Sequence, residues 1–223
     1  MTTPILLFAA GLGTRMGDLV KDRPKPMISV AGKALIDHAL DLTMIPEVGQ
    51  RVVNVHYKAD MLRSHLAQRP VLISDETEEL LETGGGLKKA LPLLGEGPVL
   101  TLNTDAVWHG PNPIETILSA WRPEMEALLL LVPKQQVHGH RGAGDFTMDD
   151  SGRLVRAPDA VYPGLQMLRT DGLDAIQDKA FSMNVLWDQI ARRGGLYGVN
   201  YTGQWCDVGQ PSSIPIAESM LHV

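Results

Sequence analysis

The sequence predicts an α/β fold built on a mostly parallel central sheet. Apolar, strand-like runs alternate with segments of helical spacing through about residue 133, and some runs, such as Ala127–Val132, contain no polar residue. Strands that are apolar at every position are typical of parallel sheets with helices packed on both faces. With 223 residues, 44% of them hydrophobic, the chain can form one such domain. We therefore predict a Rossmann-like three-layer sandwich with a small insertion.

The first part of the chain is predicted to supply most of that sandwich. Short apolar runs predict strands, and apolar residues three and four apart predict the helices between them. The predicted strands are Ile5–Ala10, Arg51–His56, Val71–Ser74, Val99–Leu102 and Ala127–Val132. The predicted helices are Leu35–Leu42, Met61–Leu66, Leu87–Leu94 and Ile114–Trp121. This alternation of strand and helix is what makes successive strands parallel.

The pattern changes after about residue 133. Two short runs flank the turn residues Asp149–Gly152, which predicts a hairpin. Later elements are predicted as a strand at Ala160–Leu168, a helix around Val185–Ala191, strands at Leu196–Asn200 and Trp205–Val208, and a helix at Pro211–Leu221. We predict a single domain over residues 1–223, in which residues from about 134 onward form an insertion beside the first part.

Composition excludes several classes of partner. The net charge of −6 argues against nucleic acid or an anionic membrane as the main partner. No apolar run reaches the ~18 residues of a membrane helix, and the N-terminus lacks the basic start of a signal peptide. Cys206 is the only cysteine, so a reducing compartment, the cytoplasm, is expected. We expect a monomer or a weak dimer.

The segment after the first strand has the features of a polyphosphate site. Residues 9–26 read AAGLGTRMGDLVKDRPKP. Gly11 and Gly13 let the backbone approach a ligand and direct N–H groups at it, while Arg15 and Lys25 supply a forked cation and a point charge. Two familiar phosphate motifs fit this segment less well. A Walker A loop needs Lys-Ser or Lys-Thr after its glycines, which this segment lacks, and a dinucleotide fingerprint needs a glycine at the position of Met16.

This segment resembles the signature of the sugar-1-phosphate nucleotidyltransferases, roughly LAAGxGTRM…PKP. The chain departs from it at Gly17-Asp18-Leu19, where many members have Arg-Pro-Leu. The resemblance implies that the part up to about residue 133 binds the nucleotide and that the part from about 134 to 223 binds the sugar. In addition, it implies that Arg15 and Lys25 are catalytic, neutralising the phosphates. It also implies nucleotide contacts from the loop residues Ala10, Gly11, Gly13, Thr14, Arg15 and Lys25.

Two aspartates are predicted to hold a metal. Asp105 follows the strand Val99–Leu102 and thus lies at the carboxyl edge of the sheet, where ligands of α/β proteins collect. Its segment resembles the family's N-G-D motif, with Thr104 in place of glycine, and Trp205–Gly209 resembles the W-x-D-[VI]-G motif that supplies a second metal ligand. The resemblance therefore assigns Asp105 and Asp207 to Mg²⁺, a hard ion that suits carboxylates.

A third motif, Glu82-Thr83-Gly84-Gly85-Gly86, precedes the predicted helix Leu87–Leu94. Its glycines permit close approach of a flat ring or an anion, and the resemblance assigns Glu82 and Gly85 to the nucleoside. The E-T-G-G-G form resembles the bacterial N-acetylmuramate-1-phosphate uridylyltransferases of cell-wall recycling. That subgroup implies sugar contacts from Asn103, Asp145 and Gly164, with Arg141 or another basic residue for the sugar's carboxylate.

The resemblance implies a Mg²⁺-dependent transfer of uridylyl from UTP to N-acetylmuramic acid 1-phosphate. The chain has no G-x-S-x-G elbow, and none is needed, because a sugar 1-phosphate is itself an anionic nucleophile and requires only alignment and neutralisation. Three alternatives stay open. The first is the same chemistry with GTP and mannose 1-phosphate, or with glucose 1-phosphate and dTTP or UTP, and the second is a non-catalytic subunit that senses sugar nucleotides. The third is an NAD-dependent dehydrogenase, although the misplaced third glycine of the fingerprint counts against it.

Overall fold

The computed structural model describes residues 2–222. The strands of this part are β1 (Thr3–Phe8), β2 (Ser29–Val30), β3 (Lys33–Ala34), β4 (Val48–Val55), β5 (Leu72–Asp75), β6 (Val99–Asn103), β7 (Ala106–His109), β8 (Ala127–Leu131), β9 (Val137–His138), β10 (Phe146–Met148), β11 (Leu154–Arg156), β12 (Leu165–Leu168), β13 (Leu196–Asn200) and β14 (Gln204–Asp207). The helices are α1 (Leu35–Leu42), α2 (Ala59–Leu66), α3 (Glu82–Leu94), α4 (Pro113–Ala120), α5 (Met183–Arg192) and α6 (Ser213–Met220).

A seven-stranded sheet forms the centre of the molecule, in the order β13-β8-β12-β6-β1-β4-β5. All of its neighbours are parallel except β12, which runs antiparallel to both β6 and β8. The predicted mostly parallel sheet is confirmed. Strands β12 and β13 come from the second part of the chain, so both parts contribute to one sheet.

Helices cover both faces of this sheet, as its apolar strands require. One core contains buried residues of α1, α2 and α4 together with Ile5 and Leu7 of β1. The other core contains residues of α3 and α5 together with Leu6, which points to the opposite face of the same strand. The three-layer sandwich is therefore confirmed.

A third, smaller core supports the segment after β1. It joins Met16 and Val20 of that segment to Val107 of β7, Cys206 of β14 and Ala217 of α6. Burial raises the pKa of the Cys206 thiol to about 12, so this side chain is an inert packing group. No helix within residues 2–222 is both long and apolar enough to cross a membrane.

Three details of the predicted elements are corrected by the structure. Helix α3 begins at Glu82, so its glycines form the first turn instead of preceding it. Strand β12 begins only at Leu165, because Pro163 cannot donate to a ladder and Gly164 has a φ of +90°. Strand β7 was not predicted; it pairs with β14, which also pairs with β9, in a second sheet.

Candidate active site

The loop after β1 is held from behind by a buried asparagine. Asn54 of β4 accepts hydrogen bonds through Oδ1 from the backbone N–H groups of Ala9, at 2.6 Å, and of Ala10, at 3.3 Å. The Ala10 amide, predicted to bind nucleotide, is thus already engaged by the protein. Gly11 is exposed, and a Cβ at its position would meet nothing within 4 Å. The open side of the loop therefore begins at Gly11.

Gly13 and Lys25 are packed directly against each other. Gly13 has a φ of +65°, and a Cβ there would lie 2.7 Å from Cβ of Lys25. Pro24 is extended, and Lys25 begins a short 3-10 turn in which Pro26 follows. The Lys25 side chain is only 9% exposed, and its Nζ lies 2.8 Å from Oδ2 of Asp105. Glycine at position 13 thus allows a buried ammonium to be fixed beneath the loop.

The pairing of β7 with β14 brings the two predicted metal ligands together. Asp207 lies opposite Ala106 in the antiparallel ladder, and the Val208 N–H donates to the Asp105 carbonyl at 2.9 Å. Burial raises the pKa of Asp207, and the negative charge of Asp105 raises it further. Lys25, Arg15 and His140 act in the opposite direction. Because the charge of Asp105 acts on Asp207, both carboxylates belong to one charged cluster.

Arg15 and His140 approach this cluster from two sides. A Cβ at Gly209 would lie within 3.2 Å of both the Asp207 carboxylate and the Arg15 guanidinium, so glycine permits their approach. His140 Nδ1 lies 3.6 Å from Oδ2 of Asp207. Thr14, the remaining predicted nucleotide contact of the loop, is exposed at the start of the 3-10 turn Thr14–Val20. The cluster thus combines two carboxylates with three basic groups.

The donor set of this cluster suits a hard divalent cation. Within residues 2–222 no three His, Cys, Asp or Glu side chains are grouped closely enough to hold a metal by themselves. Two neighbouring carboxylates, one of which has a pKa raised by burial and by the charge of the other, leave most coordination positions to phosphate oxygens and water. Mg²⁺ is commonly bound in this way, so Asp105 and Asp207 are the residues that would hold it.

A cleft of about 230 Å³ opens beside the cluster. It is lined by Ala10, Gly11, Lys25 and Asp105 on one side and by Glu76 and Glu82 on the other. Glu82, a predicted nucleotide contact, is exposed there with a φ of +59°. A non-glycine residue in this region stores backbone strain, which is common at ligand sites.

Glu76 is fully buried, and its carboxylate joins the two sides of the cleft. It accepts hydrogen bonds from Nδ2 of Asn54 at 2.7 Å and from the Leu81 N–H at 3.2 Å. Since Asn54 in turn holds Ala9 and Ala10, one buried chain of hydrogen bonds connects the β1 loop to the start of α3. Burial raises the pKa of Glu76 above its usual value.

An aspartate at position 54 would place two carboxyl groups in this buried chain. We expect Asn54→Asp to lower the free energy of unfolding by about 1–3 kcal/mol, the cost of a lost hydrogen bond to a buried charge. A carboxyl whose folded pKa is raised stabilises the fold below its unfolded pKa and loses that contribution as pH rises. The deficit should therefore be larger at about pH 8 than at about pH 5.

Urea unfolding at the two pH values measures this deficit. Asn200→Asp, at an exposed position, is the matched control and should change stability little at either pH. An Asn54→Asp deficit that is the same at both pH values would contradict the proposed contact between the two carboxyl groups.

The glycines of α3 pack against other parts of the protein, and the nucleotide contact of Gly85 stays a prediction. The N–H groups of Gly84 and Gly85 both donate to the Phe181 carbonyl, and a Cβ on Gly85 would lie 2.3 Å from the Lys179 carbonyl. A Cβ on Gly86 would lie 2.7 Å from Oε1 of Glu76. Gly85 does not line the cleft. The close approach that these glycines allow is therefore to the 179–181 segment and to Glu76, and it fixes the helix start.

A second cavity, of about 350 Å³, adjoins the cleft and shares Phe8, Thr83 and Asn103 with it. The predicted sugar contact Asp145 lines this cavity, and its Oδ2 accepts a hydrogen bond from the Tyr162 N–H at 2.9 Å. The other predicted sugar contact, Asn103, lies where the two cavities meet. The predicted nucleotide and sugar contacts thus fall mainly in two connected spaces.

Gly164 lies beneath Asn103 instead of lining the second cavity. A Cβ on Gly164 would lie 2.4 Å from both Cγ and Nδ2 of Asn103, and the Gly164 carbonyl accepts a hydrogen bond from the Asn103 N–H at 2.9 Å. The predicted sugar contact of Gly164 stays a prediction. The chain passes beneath Asn103, whose position depends on the absence of a side chain there.

We expect Gly164→Ala to be more destabilising than an equivalent change elsewhere. Gly152 in the β10–β11 turn has a similar φ, +84°, but a Cβ there would meet only Tyr197, at 3.8 Å. Gly152→Ala should therefore cost only the backbone strain, about 1–2 kcal/mol. Gly164→Ala should cost about 1–3 kcal/mol more, because it also overpacks Asn103. Thermal unfolding measures both, and equal losses would contradict the close contact.

Several functional positions were not predicted from the sequence. Asn54 and Glu76 are polar residues at the end of β4 and just after β5, at the same sheet edge as Asp105. That placement was a signal available in the sequence. The sequence contains no such signal for His140, because nothing near it in the chain indicates that it lies beside Asp207. The structure also separates it from His138, which lines a groove beside α6.

Comparison with known proteins gives a family for this arrangement. The family described as the MobA-like NTP transferase domain matches residues 5–200. An N-acetylmuramate alpha-1-phosphate uridylyltransferase from Caulobacter vibrioides is 41% identical, over 97% of this chain and 96% of its own length. A protein of the same name from Neisseria meningitidis serogroup B is 29% identical over 96% of each chain.

Solved structures agree on the fold. The inositol-1-phosphate CTP transferase from T. maritima superposes with a TM-score of 0.80 at 13% identity, over 99% of this chain and 95% of that one. At such low identity the likeness concerns the fold alone, and it is the fold predicted from the sequence. The match over residues 5–200, together with a relative 41% identical along nearly its whole length, shows that this chain is a nucleotidyltransferase and belongs to the MobA-like NTP transferase domain family.

Proposed function

We propose that this protein transfers a uridylyl group from UTP to N-acetylmuramic acid 1-phosphate in a Mg²⁺-dependent reaction that yields UDP-N-acetylmuramic acid and pyrophosphate. The observation that carries the chemistry is the charged cluster beside the cleft, where Lys25 lies 2.8 Å from Asp105 and where the charges of Lys25, Arg15 and Asp105 all act on the Asp207 carboxylate. The choice of nucleotide and sugar is supported by the relative that is 41% identical.

In this proposal a phosphate oxygen of the sugar 1-phosphate attacks the α-phosphorus of UTP. The bond from that phosphorus to the bridging oxygen breaks, and pyrophosphate leaves with its electron pair. The nucleophile is already anionic at neutral pH, so no residue has to remove a proton from it. What the protein must supply is alignment of the two phosphates and compensation of their negative charge.

The residues of the cluster divide this work by position. Lys25 is buried and paired, so its ammonium is a fixed charge beside the reacting phosphates. Arg15 is exposed at the loop, where its fork suits the β- and γ-phosphates that depart as pyrophosphate. Asp105 and Asp207 would hold Mg²⁺, which neutralises phosphate charge and orients its oxygens when bound. The cleft beside Glu76 and Glu82 would take the nucleoside.

The second cavity would take the sugar. Asn103, between the two cavities, is placed to contact the sugar near its phosphate, and Asp145 is placed to accept hydrogen bonds from hydroxyl groups farther in. The reaction would belong to cytoplasmic recycling of peptidoglycan sugars. A chain whose one cysteine is buried and cannot form an internal disulfide fits such a reducing compartment.

Pyrophosphate release across a matrix of substrates tests the proposal. The four nucleoside triphosphates are each combined with the 1-phosphates of N-acetylmuramic acid, N-acetylglucosamine, mannose and glucose, with and without Mg²⁺. The expected result is the highest kcat/KM for UTP with N-acetylmuramic acid 1-phosphate, only in the presence of Mg²⁺. A preference for GTP with mannose 1-phosphate would replace the substrate pair, and no turnover with any pair would indicate a non-catalytic subunit.

A further inference from the structure

The second cavity contains one strongly basic side chain. Among its lining residues within 2–222, Arg156 of β11 is the only lysine or arginine. His140 also lines the cavity, but it lies beside Asp207, at the phosphate end of the site. Arg141, the basic residue that the sequence suggested for a carboxylate, is exposed and lines neither cavity. A cation for the far end of a bound sugar is therefore available only from Arg156.

The Arg156 side chain is about half exposed, and its contacts fall along one edge of the guanidinium. Its Nε and Nη2 lie 3.3 and 3.0 Å from Oδ1 of Asp188, and Nη2 also donates to Oδ1 of Asn184 at 2.9 Å. The guanidinium carbon lies 5.3 Å from the ring centre of Phe146 and 6.0 Å from that of Trp187. These contacts engage one edge of the guanidinium. The Nη1 edge donates no hydrogen bond to any residue that the structure describes.

The wall beneath Arg156 is fixed by a buried hydrogen-bond chain. Trp187 donates through Nε1 to Oε1 of Gln166 at 2.7 Å, and Gln166 donates through Nε2 to Oγ1 of Thr101 at 3.1 Å. Gln166 is 1% exposed and lies in the middle of the central sheet. Tyr162 packs edge-on against Trp187, with ring centres 4.8 Å apart. An apolar group on a bound sugar can therefore rest on a rigid aromatic surface next to a cation.

The position of the cavities orients a bound sugar phosphate. Its phosphate has to reach the cluster of Lys25, Asp105 and Asp207, so the sugar extends past Asn103 into the second cavity. Substituents far from the phosphate then meet Trp187 and Arg156. Asp145 lines the same cavity and would repel a carboxylate that had no cation beside it. A negatively charged substituent is thus acceptable only where the free edge of Arg156 can receive it.

We propose that Arg156 is the residue that selects a sugar 1-phosphate with a carboxylate substituent, binding that carboxylate through its free edge while Trp187 supports the adjoining apolar atoms. This inference rests on the proposed function, since N-acetylmuramic acid differs from N-acetylglucosamine by the lactyl group that carries the carboxylate. It adds the residue responsible for the choice between the two sugars.

The test compares both sugar 1-phosphates, with UTP and Mg²⁺, in the wild-type protein and in Arg156→Gln, Arg156→Lys, Arg141→Gln and Arg192→Gln. Wild type should prefer N-acetylmuramic acid 1-phosphate roughly 10- to 100-fold in kcat/KM, the effect of one charge-assisted contact. Arg156→Gln should lower this ratio by about 10-fold or more, mainly through KM for the acidic sugar. Arg156→Lys, which keeps the charge but loses the fork, should give an intermediate ratio.

The two arginine controls should keep the wild-type ratio. Arg192 is exposed on α5 and lines neither cavity. Arg192→Gln therefore removes one positive charge, as Arg156→Gln does, without changing the second cavity. An unchanged ratio in Arg156→Gln, or a loss of the ratio in Arg141→Gln, would overturn the inference and leave the proposed function intact. A wild-type protein that does not favour N-acetylmuramic acid 1-phosphate would instead contradict the proposed function, and the inference with it.

Discussion

Replacing Lys25 by methionine is expected to lower kcat at least about 100-fold, the scale of losing one preorganised electrostatic stabiliser. Methionine has a similar length, so it can fill the space beneath Gly13 without the charge. The Lys25 side chain is 9% exposed, and its Nζ lies 2.8 Å from the Asp105 carboxylate, where water screens the charge poorly. Its removal takes a fixed positive charge away from the reacting phosphates.

The same change also alters the metal site, which provides a second readout. Without Lys25, Asp105 loses its cation and should bind Mg²⁺ at least as tightly, so the loss should not be restored by added Mg²⁺. Lys21→Met is the matched control, because Lys21 belongs to the same segment but is exposed and pairs with the exposed Asp18. Near-normal turnover of folded Lys25→Met, or an equal loss in Lys21→Met, would remove Lys25 from the catalytic group.

Asp207→Asn is expected to weaken activity and strengthen the fold. Asparagine keeps the volume but removes a negative charge that would hold Mg²⁺, so kcat at fixed Mg²⁺ should fall by about 10- to 100-fold or more, the loss that even outer partners of metal ligands cause. The Mg²⁺ concentration for half-maximal rate should rise. Steady-state rates over a Mg²⁺ titration measure both effects.

The stability effect follows from the raised pKa of Asp207. Burial and the nearby charge of Asp105 disfavour its ionised form in the folded state, so its contribution to stability is lost as pH rises through the folded pKa. Without Mg²⁺ at about pH 8, Asp207→Asn should unfold at the same temperature as wild type or higher. Asp18→Asn, at an exposed carboxylate, is the control. An unchanged Mg²⁺ titration would exclude Asp207 as a metal ligand, and a large loss of stability in the absence of Mg²⁺ would contradict the unfavourable burial of its charge.

The charges that would hold the metal are expected to lower the stability of the protein when no cation is bound. Asp207 lies next to Asp105 in a partly buried position, an arrangement that costs folding free energy until a cation compensates it. Lys25 provides part of that compensation within the protein itself. A bound divalent ion would provide the rest, so metal binding should also stabilise the fold.

The sequence by itself determined the fold class and the main charged groups of the site. Apolar strands alternating with helices permit few arrangements other than a covered parallel sheet. Asp105 follows a strand of that sheet, and Lys25 and Arg15 lie in a segment that continues from β1. Their predicted roles rest on local features, namely a strand end, glycines and prolines, so they could be proposed without knowledge of how distant segments meet.

Only the tertiary structure decided which residues support these groups. Asn54 and Glu76 are 22 residues apart, and Gln166 and Trp187 are 21 apart; their contacts depend on strand register and helix packing, which local pattern does not specify. The same holds for His140 beside Asp207 and Arg156 over Trp187. Glycines illustrate this limit most clearly. The lack of a side chain permits another group to approach the backbone closely, but the sequence does not indicate whether that group is a ligand or another part of the protein. At Gly85 and Gly164 the neighbour proved to be protein, since the folded chain brought the Phe181 segment and Asn103 to those positions.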